Sequence, residues 1–296
     1  MAVTPQERLA RLLEAVRPGR RTRIADIGAR DINRNPYRAL MDQNLAEIWA
    51  FEPAEDGRAE LAARDDAFVH ILPDAIGSGE VAEFRSCLGG GFSSLYEPDR
   101  ATLDYLGRWH RLTRVVARHE VATKRLDDVA SLPNVDLLKI DIQGGELAAF
   151  QGGRDRLSEA VAVITEVGFL PLYQDQPTLA DQMAELSGQG FILHKFLFAK
   201  AHTLLGPRAG QLARPRHRNQ LVDGDAVFIR DMRAPERLSD GQLKQMAILA
   251  DSVFQSFDLA LRCLDLLEAR AAVASAAADR YARSVPHRVD VAEALS

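Results

Sequence analysis

Residues 135–146 read VDLLKIDIQGGE, an apolar strand pattern that ends at an acid and passes through two glycines into the start of a helix. Lys139 and Asp141 are separated by one apolar residue, so both charged side chains lie on one face of the predicted strand. Two charges on such a strand require either partners or a chemical role. A buried ion pair between the lysine and the aspartate is one interpretation, and a functional site is the other.

Strand and helix patterns alternate on both sides of this segment. Apolar strand patterns occur at residues 23–28, 47–52, 67–72, 135–142, 160–167, 191–198 and 226–230. Helical patterns occur at residues 35–45, 55–64, 145–151 and 177–188. This alternation predicts an α/β fold with a doubly wound, mostly parallel seven-stranded sheet.

Two stretches depart from the alternation. Residues 79–87 and 113–126 look extended and flank a loop at 88–98, which together predict an insertion before the next core strand. The last two strands are joined by residues 199–225, which show no helical period. We therefore expect the final pair of strands to be antiparallel.

The two ends of the chain are predicted to be helical. Residues 1–22 form a short amphipathic helix that ends at Pro18, residues 23–235 form the α/β domain, and residues 236–296 form a helical extension. Ser239 and Gln242 have the spacing of a capping box. The apolar stripe that follows would run along about 30 residues of helix, or about 45 Å. Either the stripe folds back onto the core or it pairs with a second copy, and we expect a homodimer through these helices.

Composition limits the class of protein. The chain has 296 residues, a formal net charge of -5 and 47% hydrophobic residues, values typical of a globular protein. The mild acidity argues against a nucleic-acid partner, and no apolar run is long enough to predict a membrane span. Cys87 and Cys263 form neither a metal-binding motif nor a disulfide framework, which fits a reducing compartment. With no signal peptide evident at the N-terminus, we expect a cytoplasmic location.

The first two predicted strands end in residues suited to a nucleotide-like ligand. Asp26 ends the first strand, and Gly28 and Ala29 follow it at the edge where open α/β sheets bind ligands. Glu52 ends the second strand, 24 positions after Gly28, where a carboxylate can hold a ribose diol. A strand-ending turn at Asp26 and a surface glutamate at Glu52 are the alternatives.

The third predicted strand ends at a similar place. Asp74 could accept a hydrogen bond from an adenine amine, and the small side chain of Ala75 leaves room for a flat ring. An ordinary turn is the alternative, because a proline followed by an aspartate suits turns well.

Four segments carry a resemblance to a known family. Residues 126–129 (LDDV) and 139–146 (KIDIQGGE), with residues 92–98 (FSSLYEP) and 165–173 (TEVGFLPLY), resemble the FkbM-type methyltransferases. The resemblance implies a Rossmann-like methyltransferase fold, S-adenosylmethionine as the methyl donor, and usually a hydroxyl group as the acceptor. Two positions depart from the family pattern. Gln143 stands where the family usually has glutamate, and Ile32 stands where it usually has a second glycine.

The expected function is therefore an O-methyltransferase that acts on a hydroxyl of a small molecule, sugar or glycan. We expect the cofactor to contact six residues: Asp26, Gly28, Ala29, Glu52, Asp74 and Ala75. The acceptor hydroxyl is expected near Asp141, with Glu166 close by on the next strand. Asp141 would serve as general base or as one ligand of a divalent metal. We expect the metal-free form, since no ligand cluster is evident and Gln143 removes one carboxylate.

Two other classes of function stay open at this point. A catalytically inactive relative that binds a nucleoside or acts in assembly would fit the two departures from the family pattern. A dinucleotide oxidoreductase would fit Glu52 alone, but the chain lacks the G-x-G-x-x-G motif after its first strand.

Overall fold

The computed structural model of the protein describes residues 3–29, 35–212 and 216–285. Ile32, the position of the absent second glycine, lies outside these residues. The chain divides into two compact units. One consists of Ile24–Arg30 and Ile48–Asp231, and the other of Met1–Arg23, Asp31–Glu47 and Met232–Ser296.

The secondary structure follows the predicted alternation. The strands are β1 (Thr22–Ile27), β2 (Ala46–Phe51), β3 (Val69–Leu72), β4 (Ala75–Ile76), β5 (Val81–Cys87), β6 (Val115–Lys124), β7 (Leu137–Ile140), β8 (Ala162–Gly168), β9 (Phe191–His202) and β10 (Gln220–Arg230). The helices are α1 (Pro5–Val16), α2 (Arg38–Met41), α3 (Glu55–Ala62), α4 (Arg100–Leu106), α5 (Glu146–Gln151), α6 (Leu179–Gly188), α7 (Asp240–Ser252), α8 (Phe257–Ala269) and α9 (Ala277–Ala282).

Seven strands form the main sheet in the order β3-β2-β1-β7-β8-β10-β9. The pairs β2–β3, β1–β7 and β7–β8 are parallel, and β10 runs antiparallel to both of its neighbours. Strands β7 and β8 are almost wholly buried, as expected of parallel strands covered on both faces. The doubly wound α/β fold and the antiparallel final pair are confirmed.

The predicted insertion forms a small sheet of its own, in the order β4-β6-β5. Between β5 and β6 lies α4, a helix that the sequence analysis did not predict. It begins after Asp99, whose carboxylate accepts hydrogen bonds from the backbone N–H groups of Ala101 and Thr102. It ends at Gly107, which has the left-handed φ of +67° that favours glycine.

Two predicted boundaries were wrong. The helix expected at residues 35–45 is limited to α2, Arg38–Met41. The loop expected at residues 199–225 is shorter, because antiparallel pairing of β9 with β10 continues outward to the pair His202–Gln220. Residues 222–225 of β10 alternate between buried and partly exposed positions, so no continuous apolar run marks this part of the strand.

The terminal helices α1, α7, α8 and α9 belong to one unit. The prediction of one long helical stripe was wrong: the chain turns between Val253 and Ser256, and α7 and α8 pack against each other. Leu243, Leu264 and other stripe residues are fully buried within the chain. The stripe therefore needs no second copy to cover it, and the homodimer stays a prediction without that support.

None of the helices in the described part of the chain is both long and apolar enough to cross a bilayer.

Candidate active site

A tight turn after β1 brings the ends of two parallel strands together. Gly28 has φ +81°, and a Cβ atom at this position would lie 2.1 Å from the backbone oxygen of Asp141. The backbone N–H of Asp141 donates to the oxygen of Ile27 at 3.0 Å. Glycine is thus required here for a close approach of backbones as well as for φ. Ala29, which follows, is 4% exposed.

Asp26 and Lys139 face each other across β1 and β7. Their Cα atoms are register partners, and Lys139 Nζ lies 3.3 Å from Asp26 Oδ1. Burial opposes the charge of Lys139, but the neighbouring carboxylates of Asp26 and Asp141 outweigh it and raise the pKa of Lys139. The lysine therefore has its ion pair with Asp26, on the adjacent strand. The contact between Asp26 and a cofactor stays a prediction.

Glu52 is buried at the carboxyl end of β2, with 6% of its surface exposed. Its Oε1 accepts a hydrogen bond from the backbone N–H of Ala54 at 2.8 Å. Within the described residues, no group donates to Oε2, so one carboxylate oxygen is available to a ribose hydroxyl. Gly57 makes this position possible, because a Cβ atom there would lie 2.6 Å from Glu52 Cδ. Sequence reasoning missed Gly57, although a glycine in the first turn of a helix is a usable signal.

Asp74 and Ala75 lie at the start of the small sheet. Asp74 Oδ1 is 2.7 Å from Lys124 Nζ, an ion pair in which both side chains are partly exposed. Ala75 pairs with Thr123 in the parallel ladder of β4 and β6. The structure thus gives Asp74 a partner inside the protein, and the predicted adenine contact is untested.

The two predicted catalytic acids lie together. Gln143 Nε2 donates to Asp141 Oδ1 at 3.0 Å and to Glu166 Oε2 at 2.7 Å. Both carboxyl groups therefore share one amide nitrogen as their hydrogen-bond donor. The parallel pairing of β7 with β8 positions the pair, since Asp141 directly follows β7 and Glu166 lies near the end of β8.

The surroundings of the pair are strongly acidic. Burial, then the charges of Asp141 and Glu146, raise the pKa of Glu166 well above its usual range. Burial also raises the pKa of Glu146 to about 7, although the backbone N–H groups of Ile142 and Gly144 donate to it and oppose the rise. The cluster therefore retains protons near neutral pH.

Strand β10 adds acids to this cluster that sequence reasoning missed. Asp225 is the register partner of Glu166, and burial followed by the charge of Asp141 raises the pKa of Asp225 to about 6. Asp223 contributes to the raised pKa of Glu166. Two acids at alternate positions could have indicated a strand that carries both on one face. They lie, however, in residues 199–225, which were predicted to be a loop.

Gln143 is held by residues of two other segments. Ser94 Oγ donates to the backbone oxygen of Gln143 at 2.6 Å, and the hydroxyl of Tyr173 donates to Gln143 Oε1 at 3.2 Å. Tyr173 is 2% exposed, and Gln143 has a left-handed φ of +59°. The ring of Tyr96 lies over Gly144, where a Cβ atom would come within 3.1 Å of it. Three of the four segments that carry the family resemblance, residues 92–98, 139–146 and 165–173, thus meet at Gln143.

A family model described as the methyltransferase FkbM domain matches residues 26–193, more than half of the chain. The chain belongs to the FkbM methyltransferase family. The predicted family membership is confirmed, and the match covers the described site from Asp26 to Tyr173. Asp225 and Asp223 lie beyond it.

Individual relatives are distant. The 2-O-methyltransferase NoeI of Sinorhizobium fredii is 28% identical over 169 residues, which are 52% of this chain and 66% of NoeI. The solved methyltransferase FkbM of Methylobacillus flagellatus has 13% identity and a TM-score of 0.37, over 69% of this chain and 43% of that one. Magnesium protoporphyrin IX methyltransferase from Synechocystis, solved with bound SAM, has 10% identity and a TM-score of 0.37, over 77% and 78% of the two chains. This chain thus spans about two thirds of NoeI and less than half of the first structure.

This FkbM-family site shows no arrangement of metal ligands. Across residues 3–29, 35–212 and 216–285, no group of three or more His, Cys, Asp or Glu side chains is placed to hold a metal ion. What the site offers is two carboxyl groups that share one amide donor beside a tight turn, a setting suited to moving a proton.

Proposed function

We propose that this chain transfers a methyl group from S-adenosylmethionine to a hydroxyl oxygen of a small molecule or glycan. The observation that carries the proposal is the Asp141–Glu166 pair at the carboxyl ends of adjacent parallel strands, where α/β sheets bind ligands. Family membership supports methyl transfer, and the description of NoeI as a 2-O-methyltransferase supports oxygen as the acceptor atom.

Asp141 accepts the proton of the acceptor hydroxyl in this proposal. Its side chain is partly exposed, so a hydroxyl group can reach it. In this proposal Glu166 is protonated, because burial and the charges of Asp141 and Glu146 raise its pKa. The pair can therefore take up the acceptor proton in a site that already favours neutral carboxyl groups.

Glu52 and Gly28 are suited to hold the donor. Glu52 offers the unused Oε2 to a ribose hydroxyl, and Gly28 exposes backbone at the end of β1. When bound, S-adenosylmethionine supplies an activated methyl group, whose transfer to the acceptor oxygen breaks its bond to sulfur and leaves S-adenosylhomocysteine. The protein's part is to align the two reactants and to remove the hydroxyl proton.

The test is methyl transfer by the intact chain and by Asp141→Asn. S-adenosylmethionine labelled in its methyl group is incubated with a panel of monosaccharides, oligosaccharides and hydroxylated small molecules, and labelled products are identified by mass spectrometry. Loss of a general base should slow the reaction about 10²- to 10⁴-fold. An undiminished rate in Asp141→Asn, or a labelled product methylated on nitrogen or carbon, contradicts the proposal.

Metal dependence is measured in the same assay. The proposal is metal-free, so a chelator should leave the rate unchanged. Activity that a chelator abolishes and Mg²⁺ restores would overturn the metal-free form.

A further inference from the structure

Gln143 occupies an unusual place between two carboxyl groups. Its single amide nitrogen donates to Asp141 Oδ1 at 3.0 Å and to Glu166 Oε2 at 2.7 Å. Both N–H groups of the amide are thus used, one for each acid. An amide can bridge two acids because it has two N–H donors and no charge. A carboxylate at the same place would repel both acids.

The orientation of that amide is fixed by the rest of the site. The hydroxyl of Tyr173 lies 3.2 Å from Oε1 and 3.2 Å from the backbone oxygen of Phe92, and its donation to Oε1 favours the orientation in which the NH₂ group faces the acids. Ser94 Oγ donates to the backbone oxygen at 2.6 Å and supports the left-handed backbone of Gln143, a conformation that costs energy for a residue with a side chain. Contacts to side chain and backbone therefore both hold the amide between the acids.

We infer that Gln143 is a positioning residue that fixes the Asp141 and Glu166 carboxyl groups in one arrangement and, being neutral, adds no negative charge beside them. The inference rests on the proposed function for its catalytic meaning, since the arrangement holds the Asp141 carboxyl group where it would accept the hydroxyl proton. Donation from an amide stabilises a charged carboxylate, whereas an added negative charge destabilises it.

Other charged groups face the pair and must be considered. They are Lys139 on β7, Glu146 on α5, and Asp223 and Asp225 on β10. Lys200 on β9 forms an ion pair with Asp223, at 2.7 Å. Burial, then the charges of Asp141, Glu146 and Asp223, raise the pKa of Glu166, while Lys139 lies beside Asp26. Because these groups are unchanged in variants of residue 143, a shift in the titration of Glu166 reports the change made at residue 143.

The test is a pH titration of Glu166 in the full chain. The titration is monitored by ¹³C NMR of protein labelled at its glutamate side-chain carboxyl carbons. The resonance is assigned by its absence in Glu166→Gln. Gln143→Met removes both donors at similar volume, so the titration midpoint of Glu166 should rise. Gln143→Glu also adds an acid, so the midpoint should rise further. An unchanged or lowered midpoint in both variants would overturn the inference.

Tyr173→Phe is a second variant that leaves Gln143 in place. It removes the hydroxyl that orients the amide, so a smaller rise of the Glu166 midpoint is expected, and no rise counts against the inference. Binding of S-adenosylhomocysteine to the unaltered chain is measured separately by calorimetry. Absence of that binding would contradict the proposed function. The titration of Glu166 tests the role of Gln143 independently of that result.

Discussion

Asp251 is the centre of a buried polar group that joins three helices of the terminal unit. Arg8 Nε donates to Asp251 Oδ1 at 2.6 Å, and the hydroxyl of Tyr281 donates to the same oxygen at 2.8 Å. The Arg8 and Asp251 side chains are 6% and 1% exposed. Helices α1, α7 and α9 are therefore linked at one carboxylate that water hardly reaches.

Replacing this carboxylate should destabilise the unit strongly. Asp251→Asn keeps the volume but removes the charge, which leaves the Arg8 guanidinium buried without its counter-ion. Breaking a buried ion pair by removing one partner costs about 3–5 kcal/mol. The exposed pair Arg38–Asp42 in the same unit, with side chains 46% and 54% exposed, is the matched control. Arg38→Ala should cost no more than about 0.5 kcal/mol.

Urea unfolding followed by far-UV circular dichroism measures both effects, because the terminal unit is largely helical. The double variant Arg8→Met, Asp251→Leu replaces the whole pair by apolar groups and should recover most of the loss. If Asp251→Asn costs no more free energy of unfolding than Arg38→Ala, the reasoning about the buried group is refuted.

Two further predictions concern the site. Gly28→Ala should lower the free energy of unfolding by at least about 1–2 kcal/mol, because residue 28 has a left-handed φ and the added Cβ would contact Asp141. Gly19→Ala is the control and should have little effect in the same urea experiment, because the space around a Cβ at residue 19 is open. Burial, then the charge of Asp141, raises the pKa of Asp225 from 3.8 to about 6. The folded protein therefore holds this proton more tightly than the unfolded chain does, and the free energy of unfolding falls as the pH rises from about 4 to 6. Urea midpoints measured across that range should fall less steeply in Asp225→Asn, and an identical slope would contradict the assignment.

The core of the fold and the closeness of Asp141 to Glu166 could be predicted from local sequence. Apolar runs alternating with helical periods identified the parallel strands, and the spacing of Lys139 and Asp141 placed both on one face. The partner of Lys139 could not be predicted, because it depends on the register that sets Asp26 opposite it. The same limit applies to Gln143, whose contacts come from Glu166 and Tyr173, distant in sequence.

Errors arose where local pattern and tertiary packing differ. The turn after Val253 contains neither glycine nor proline, so periodicity alone continued one helix through it, although Gln255 adopts a left-handed φ of +52°. The outer half of β10 has polar residues at alternate positions, and pairing with β9 makes it a strand. Asp223 and Asp225 were missed for that reason.

Calorimetric titration of the intact chain with S-adenosylhomocysteine tests the central claim most directly, with Glu52→Gln as the matched variant and NAD as the comparison ligand. The account predicts that S-adenosylhomocysteine binds and NAD does not. Loss of a charged hydrogen-bond partner in Glu52→Gln should cost about 1.5–3 kcal/mol, roughly a ten- to hundred-fold loss of affinity. No binding of S-adenosylhomocysteine to the folded intact chain, or equal affinity in a folded Glu52→Gln, would contradict the account.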